Sequence, residues 1–299
     1  MAYLWMLIGS VFFAFMALLA ESLKEQFTYP WITTIRSGIA TLLAVSIAWG
    51  TGVRLVFLRP ATLWIRSISG WLSMICGFYA LTHYDVEIVL ALTNMYPLWV
   101  AVLSWPLLRI LPSRKTWFAL AISCVGMWMV YASSIAVHDT PSAFYRPQLA
   151  IPMGILAGML SGVALINLHR VKHINASAIV AHFSGVATAC SLVVWMLVPT
   201  ASPTRPVDRQ GIVQLLCIGL AATVGQLCLT KAFSGGSPAR VSVVGLSQVA
   251  VAALVKWILE QRVPTVGSMI GMLLVVASTV WVIFSQQEKS ESQSETARS

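Results

Sequence analysis

The sequence predicts an all-α integral membrane protein with ten transmembrane helices, arranged as two inverted five-helix repeats around a central cavity. The first observation behind this is composition. Of 299 residues, 58% are hydrophobic and 10% charged, and the mean hydropathy is +0.81. Soluble domains average about 45–50% apolar and about 25% charged residues. This excess excludes a cytosolic globular enzyme, a disordered chain and a disulfide-stapled secreted module.

The second observation is a series of ten apolar runs, each long enough for a membrane span of about 20 residues. Lipid offers the backbone no hydrogen-bond partners, so each run is expected to be a helix. No run shows the alternation of apolar and polar residues typical of a β-barrel. In chain order they are Leu4–Leu19, Trp31–Trp49, Ile65–Leu81, Ile88–Leu108, Trp117–Ile135, Leu149–Leu168, Ile179–Leu197, Gly211–Ala232, Val241–Leu259 and Val266–Phe284.

The connections divide the chain into two halves. The longest, Ala136–Arg146, separates a first five-helix repeat (1–146) from a second (147–285). Residues 286–299 are polar and rich in Ser and Glu, which predicts a disordered cytoplasmic tail.

The net charge of +9 indicates orientation rather than nucleic-acid binding, because no basic and aromatic face exists outside the apolar runs. With the N-terminus inside, twelve basic residues, Arg66 among them, fall in cytoplasmic segments and six in outer ones. This bias predicts both termini in the cytoplasm, and we expect the plasma (inner) membrane.

The third observation is an internal repeat. Residues 36–41 (RSGIAT) match residues 183–188 (FSGVAT) at an offset of 147, and Trp105 matches Trp257 at an offset of 152. Five helices is an odd number, so the second copy enters the membrane upside down. Inverted repeats are typical of secondary transporters, with substrate near the midplane between the halves.

These residues resemble the drug/metabolite transporter superfamily and its EamA-like family. The matches are Arg36 in the second helix, the stretch GFYALTHYDVEIVLALTNMYP at residues 77–97, and the run Trp257–Glu260 followed by Gly271. The resemblance covers residues 1–285 and implies two five-helix repeats with cytoplasmic termini. Leu108 stands where the first copy would carry a match to Glu260, so no role for paired glutamates is inherited.

Polar residues within the runs are the candidate substrate-binding groups, since charge and polarity at membrane depth are expensive. Arg36 would bind an anionic or carbonyl group, or would cap helix ends and snorkel to the headgroups. His182 would donate to substrate or titrate during transport, or would serve as an interhelical hydrogen-bonding residue.

A second candidate group surrounds Pro97, which removes a helix hydrogen bond and frees a carbonyl. Asn94 and Tyr96 lie at that depth, Gln248 matches Tyr96 across the repeat, and Gln226 adds an amide in the eighth helix. These residues form a substrate site or join helices through hydrogen bonds. Trp71 and Tyr79 would line the path by stacking, or pack against lipid and neighbouring helices.

No cofactor, metal or catalytic constellation is predicted. The sequence lacks a phosphate-binding loop, a His-Glu-x-x-His pair and a C-x-x-C pair. Glycine stripes, at 154, 158 and 162 and at 267 and 271, allow close helix contacts within a protomer or in a homodimer.

The leading hypothesis is a secondary transporter of a small organic metabolite or drug that works by alternating access and is not an enzyme. The alternative is a non-transporting membrane receptor or assembly partner. A channel and an intramembrane enzyme are weaker candidates, because neither a ring of like charges nor a cluster of catalytic residues occurs.

Overall fold

The computed structural model describes residues 1–23, 26–83, 89, 92–135, 147–197, 206–260 and 265–296. Every regular element in these ranges is a helix. The helices are α1 (Ala2–Leu23), α2 (Tyr29–Gly50), α3 (Ala61–His83), α4 (Tyr96–Leu108), α5 (Arg114–Ile135), α6 (Pro147–Arg170), α7 (Ala176–Leu197), α8 (Arg209–Gly235), α9 (Pro238–Gly245), α10 (Ser247–Glu260) and α11 (Val266–Thr296). The all-α class is confirmed.

Seven segments within the described ranges are long and apolar enough to cross a membrane: Ala2–Ala20, Tyr29–Gly50, Gln148–Arg170, Ala176–Leu197, Arg209–Gly235, Pro238–Val255 and Val266–Phe284. Large apolar side chains such as Leu42, Phe118 and Leu273 are exposed on the outside of the bundle. An outward apolar surface is what lipid requires, so the chain is an integral multi-pass membrane protein.

Two of the predicted runs differ from single helices. In the fourth run, a turn at Asn94 and Met95 precedes α4, and Pro97 lies in the first turn of that helix. The ninth run is divided at Leu246 into α9 and α10. The same hydrogen bonds close both turns, from Met95 N to the Leu92 carbonyl and from Leu246 N to the Val243 carbonyl. Their offset is 151, one residue less than the offset that matches the tryptophans.

The last helix also differs from expectation. The backbone of α11 continues as helix to Thr296, where the sequence predicts a disordered tail from residue 286. Gln, Glu and Lys are good helix formers, so a helix already established in the membrane can continue through them. The connection 136–146 lies outside the described residues.

The strongest packing is between the two halves of the chain. Helix α1 packs on α8, α3 on α6, α2 on α7, and α5 on α11. Helix α4 packs on α6 and α9, while α1 also packs on α10. The largest buried apolar cluster joins α1, α4, α6, α8 and α9 through side chains such as Met6, Val100, Leu165, Phe233 and Val244. The halves therefore share one core.

Helices α2 and α7 cross at matched residues. The hydroxyls of Thr41 and Thr188 lie 3.3 Å apart. A Cβ on Gly38 would lie 3.8 Å from Cγ2 of Thr188, and a Cβ on Gly185 would lie 3.8 Å from Cγ2 of Thr41. These pairs fall at the offset of 147 found in the sequence, and the contact is reciprocal.

Helices α5 and α11 make a second crossing at Gly126 and Gly271. A Cβ on Gly126 would lie 2.7 Å from the carbonyl oxygen of Gly271. A Cβ on Gly271 would lie 2.9 Å from the backbone nitrogen of Val130. On α6, Gly158 similarly accommodates the carbonyl oxygen of Leu92, which would lie 2.9 Å from a Cβ there, and Gly162 accommodates Trp99 of α4. The glycine stripes thus serve contacts within the protomer.

Candidate functional site

A buried arginine at the junction of α3, α7 and α8 is the centre of the first polar cluster. Arg66 is 2% exposed, and its Nη2 donates to Oε1 of Gln226 at 3.2 Å. Its guanidinium carbon lies 4.1 Å from the centre of the Phe183 ring, within cation–π range. The absence of a side chain on Gly70 makes room, since a Cβ there would stand 2.7 Å from Nη1 of Arg66.

Arg66 is not among the predicted site residues, because its charge is counted with the cytoplasmic segments although it is the second residue of the run Ile65–Leu81. The structure begins α3 at Ala61, so Arg66 is the sixth residue of the helix and lies more than one turn from its start. The error comes from counting basic residues near span ends as loop residues. The signal that could have found it is its position between apolar neighbours, Ile65 and Ile68, the same criterion that singled out Arg36.

His182 lies beside this cluster but uses both ring nitrogens in contacts within the protein. Its Nε2 lies 3.2 Å from the carbonyl oxygen of Phe57, so Nε2 carries the proton and donates. Its Nδ1 lies 2.8 Å from Oγ of Ser67, which therefore donates to it. The imidazole also meets the Trp64 ring edge to face, with centroids 4.8 Å apart. These contacts join α7 to α3 and to the segment before α3.

Arg36 lies on α2, apart from this cluster. It is 7% exposed, and the structure gives its buried Nε no hydrogen-bond partner. Since α2 begins at Tyr29, Arg36 lies about 10 Å into the helix. It is therefore within the apolar part of the bundle and not at a helix end.

The two predicted aromatic residues lie along α3, beyond Arg66. Trp71 donates its indole N–H to Oγ of Ser191 at 3.1 Å, which joins α3 to α7. Tyr79 lies two turns further along the same helix and is half-buried. Residues 84–88 and 90–91 of the stretch 77–97 lie outside the described residues.

A second polar cluster joins the two interrupted spans. Nε2 of Gln248 donates to Oδ1 of Asn94 at 2.9 Å, and Asn94 is 5% exposed. The repeat matches Gln248 to Tyr96, but in the structure the hydrogen-bond partner of Gln248 is Asn94, two residues before Tyr96. The Tyr96 hydroxyl instead occupies the space that a side chain on Gly245 would need.

Five of the predicted site residues thus form two groups. His182 and Gln226 lie beside Arg66 around α3, α7 and α8, while Asn94, Tyr96 and Gln248 lie where α4 meets α9 and α10. Two open surface depressions, around Trp128 and Gly267 and around Trp49 and Arg54, include none of the predicted site residues. Among the described side chains, no three His, Cys, Asp or Glu residues are grouped as for a metal ion, and the five cysteines are free.

A model of the EamA-like transporter family matches the chain twice, over residues 1–132 and 148–284. The chain belongs to the EamA-like transporter family. Its relatives carry corresponding names, so it is a membrane transporter with a small-molecule substrate.

One such relative is the pseudopaline exporter CntI of Pseudomonas aeruginosa, which is 25% identical over 276 residues, covering 91% of this chain and 92% of the relative. An uncharacterized transporter of Helicobacter pylori is 24% identical over 216 residues, covering 71% and 70%. A probable transport protein of Saccharomyces cerevisiae is 23% identical, covering 79% and 70%. A solved structure titled only as a crystal structure of a protein shares the fold, with a TM-score of 0.82, 14% identity and coverage of 96% and 98%.

Proposed function

We propose that this protein is a secondary transporter that moves a small organic metabolite or drug by alternating access between two inverted five-helix halves. The halves are residues 1–146 and 147–285. Ten crossings follow if the described part of the fourth run and α4 count as one span, and α9 with α10 as another. The observation that carries the proposal is the reciprocal pattern of helix contacts.

The reciprocity is clearest when each helix is exchanged for its counterpart five spans away. The packing of α1 on α8 then becomes the packing of α6 on α3, and both are extensive. The packing of α2 on α8 becomes that of α7 on α3, and the packing of α1 on α10 becomes that of α6 on α4. Helices α2 and α7 are counterparts of each other, so the contact between them maps onto itself, and the same holds for α5 and α11. A two-fold axis in the membrane plane would generate this pattern.

Interrupted helices give the proposal a second support. Discontinuous spans near the midplane expose backbone groups and are typical of transporter sites. Here both interruptions, at Met95 and Leu246, lie at matched positions and are joined by the bond between Asn94 and Gln248. A rearrangement of either half would change this contact.

The protein is proposed to lie in the plasma (inner) membrane, with both termini on the cytoplasmic side. Removing Arg66 from the loop residues leaves eleven basic residues on the cytoplasmic side and six outside, so the bias persists. The proposed partners are the substrate and the lipid bilayer, and a homodimer stays a prediction.

Counterflow in proteoliposomes tests the proposal. Vesicles are loaded with a panel of unlabelled metabolites, and uptake of trace labelled compound is followed after dilution. A carrier that alternates between two states accumulates label transiently above equilibrium, whereas a channel equilibrates without an overshoot. Absence of counterflow for every class of metabolite would favour the non-transporting receptor.

A further inference from the structure

The charge of Arg66 has no counter-charge in the part of the chain that the structure describes. Asp208 is the one carboxylate among the described side chains, and it accepts a bond from Gly211 N at the start of α8. Gln226, the hydrogen-bond acceptor of Arg66, is neutral. Nε of Arg66 is buried without a hydrogen-bond partner. A guanidinium carries five N–H donors and does not lose its charge in proteins.

A buried cation of this kind is unfavourable in an apolar bundle unless something neutralises it. The guanidinium of Arg66 does not reach the lipid headgroups by snorkelling, because the side chain is only 2% exposed. The Phe183 ring and the space left by Gly70 fix the plane of the guanidinium. Neither residue supplies negative charge. The arrangement leaves a fixed, planar fork of donors, the geometry that matches a carboxylate or phosphate group.

We propose that Arg66 binds the anionic group, a carboxylate or a phosphate, of the transported molecule. Gln226 orients the guanidinium, and Phe183 and Gly70 hold its plane. This inference rests on the proposed function and names the class of substrate for that function.

Arg36 provides the corresponding charge near the opposite side of the membrane. Helices α2 and α3 are consecutive and run in opposite directions, with Arg36 about 10 Å from the start of α2 and Arg66 about 8 Å from the start of α3. In the repeat, Arg36 matches Phe183, the residue whose ring Arg66 contacts. The second half therefore has Phe183 where the first half has an arginine. The guanidinium of Arg66, from α3, lies against the Phe183 ring and supplies a positive charge at that position. An anion therefore meets one buried arginine on each approach.

The experiment compares charged and uncharged forms of the same compounds. Proteoliposomes containing wild-type protein are loaded with an equimolar mixture of carboxylates, the matching amides, phosphate monoesters, quaternary amines and sugars. Release is quantified by mass spectrometry against protein-free vesicles. The variants are Arg66→Gln, which removes the charge, Arg66→Lys, which keeps the charge without the fork, and the control Arg54→Gln at an exposed arginine.

Wild-type protein is expected to release anions at least about tenfold faster than their amides. Arg66→Gln should bring that ratio close to one, Arg66→Lys should give an intermediate ratio, and Arg54→Gln should not change it. Because the readout is a ratio of two compounds in the same vesicles, a loss of folded protein lowers both and leaves the ratio unchanged.

Different results overturn different statements. Release of amides, amines or sugars as fast as anions, or an unchanged ratio in Arg66→Gln, would refute the anion site while leaving transport intact. A split between carboxylates and phosphates identifies which oxygen group is bound. No release of any compound would refute the proposed function itself.

Discussion

Two crossings between the halves of this transporter differ in how closely the helices approach. At Gly126 and Gly271, α5 and α11 touch backbone to backbone, and a side chain on either glycine would overlap a main-chain atom. At Gly38 and Gly185, α2 and α7 leave room for a methyl group at ordinary contact distance, 3.8 Å. Main-chain atoms therefore make the closest contact between α5 and α11, whereas side chains make the contact between α2 and α7.

The difference indicates which crossing is rigid. A main-chain contact cannot be relieved by a rotamer change, so α5 and α11 are fixed against each other. The helices α2, α3, α7 and α8, which carry Arg36, Arg66, His182 and Gln226, meet through side chains that can change partners. We infer that movement during transport is concentrated in those four helices, and that α5 and α11 hold the two halves together.

The largest expected effect is at the tight crossing. Gly126→Ala should destabilise the fold by about 2 to 3 kcal/mol, because the new Cβ meets the carbonyl of Gly271 and overpacking is costly. Gly38→Ala should cost less than about 0.5 kcal/mol. The thermal unfolding midpoint in detergent checks both, with Gly50→Ala as a control, since no atom lies within 4 Å of a Cβ there. Equal losses at Gly38 and Gly126 would remove the distinction between the crossings.

The next effect is on transport at the looser region. Gly70→Ala would place a Cβ 2.7 Å from Nη1 of Arg66 and 2.9 Å from Cε2 of Phe183. The guanidinium must then leave its plane, and we expect about a tenfold loss of anion flux. Gly185→Ala on α7, where the nearest atom outside the helix lies at 3.8 Å, is the matched control. Normal flux in Gly70→Ala would show that the position of Arg66 is irrelevant to transport.

A smaller effect is expected where the interrupted spans meet. Asn94→Ala and Gln248→Ala each remove one partner of the bond between them, and a double-mutant cycle should give a coupling of about 0.5 to 1.5 kcal/mol. Each single variant should also lower transport while the protein still inserts and folds. Strictly additive effects on stability would argue that the 2.9 Å contact contributes nothing.

The smallest effect is at the contact between Thr41 and Thr188. Each hydroxyl already donates to a carbonyl in its own helix, Thr41 to Ser37 at 2.8 Å and Thr188 to Ser184 at 2.7 Å. Neither has a second proton for its partner, so a Thr41→Val and Thr188→Val cycle should give a coupling below about 0.5 kcal/mol. A coupling above about 1 kcal/mol would show that the α2–α7 crossing is held more firmly than its geometry indicates.

Sequence reasoning was most reliable where one physical quantity decides the structure. Within the residues that the structure describes, apolar runs of span length are helical, because lipid leaves the backbone no alternative. The proline at position 97 indicated one interruption, near which the chain does turn. The second interruption, at Leu246, has no proline, and Gly245 beside it is a weaker signal, because single glycines are tolerated within helices.

The site was less predictable, because its contacts join distant residues. His182 is saturated by Ser67 and by the carbonyl of Phe57, 125 residues away, and no periodicity reveals such a pairing. Arg66 was assigned by its charge rather than by its apolar neighbours. A rule that sums charge near span ends cannot distinguish a loop arginine from one a turn inside the helix.

Accessibility of one central residue from both sides of the membrane tests the central claim most directly. The five native cysteines are replaced, Thr188→Cys is introduced at the α2–α7 crossing, and vesicles of each orientation are treated with a membrane-impermeant maleimide. Alternating access between inverted halves predicts labelling from both sides, with transported anion changing the ratio of the two rates. Labelling from one side only, or from neither, would contradict it.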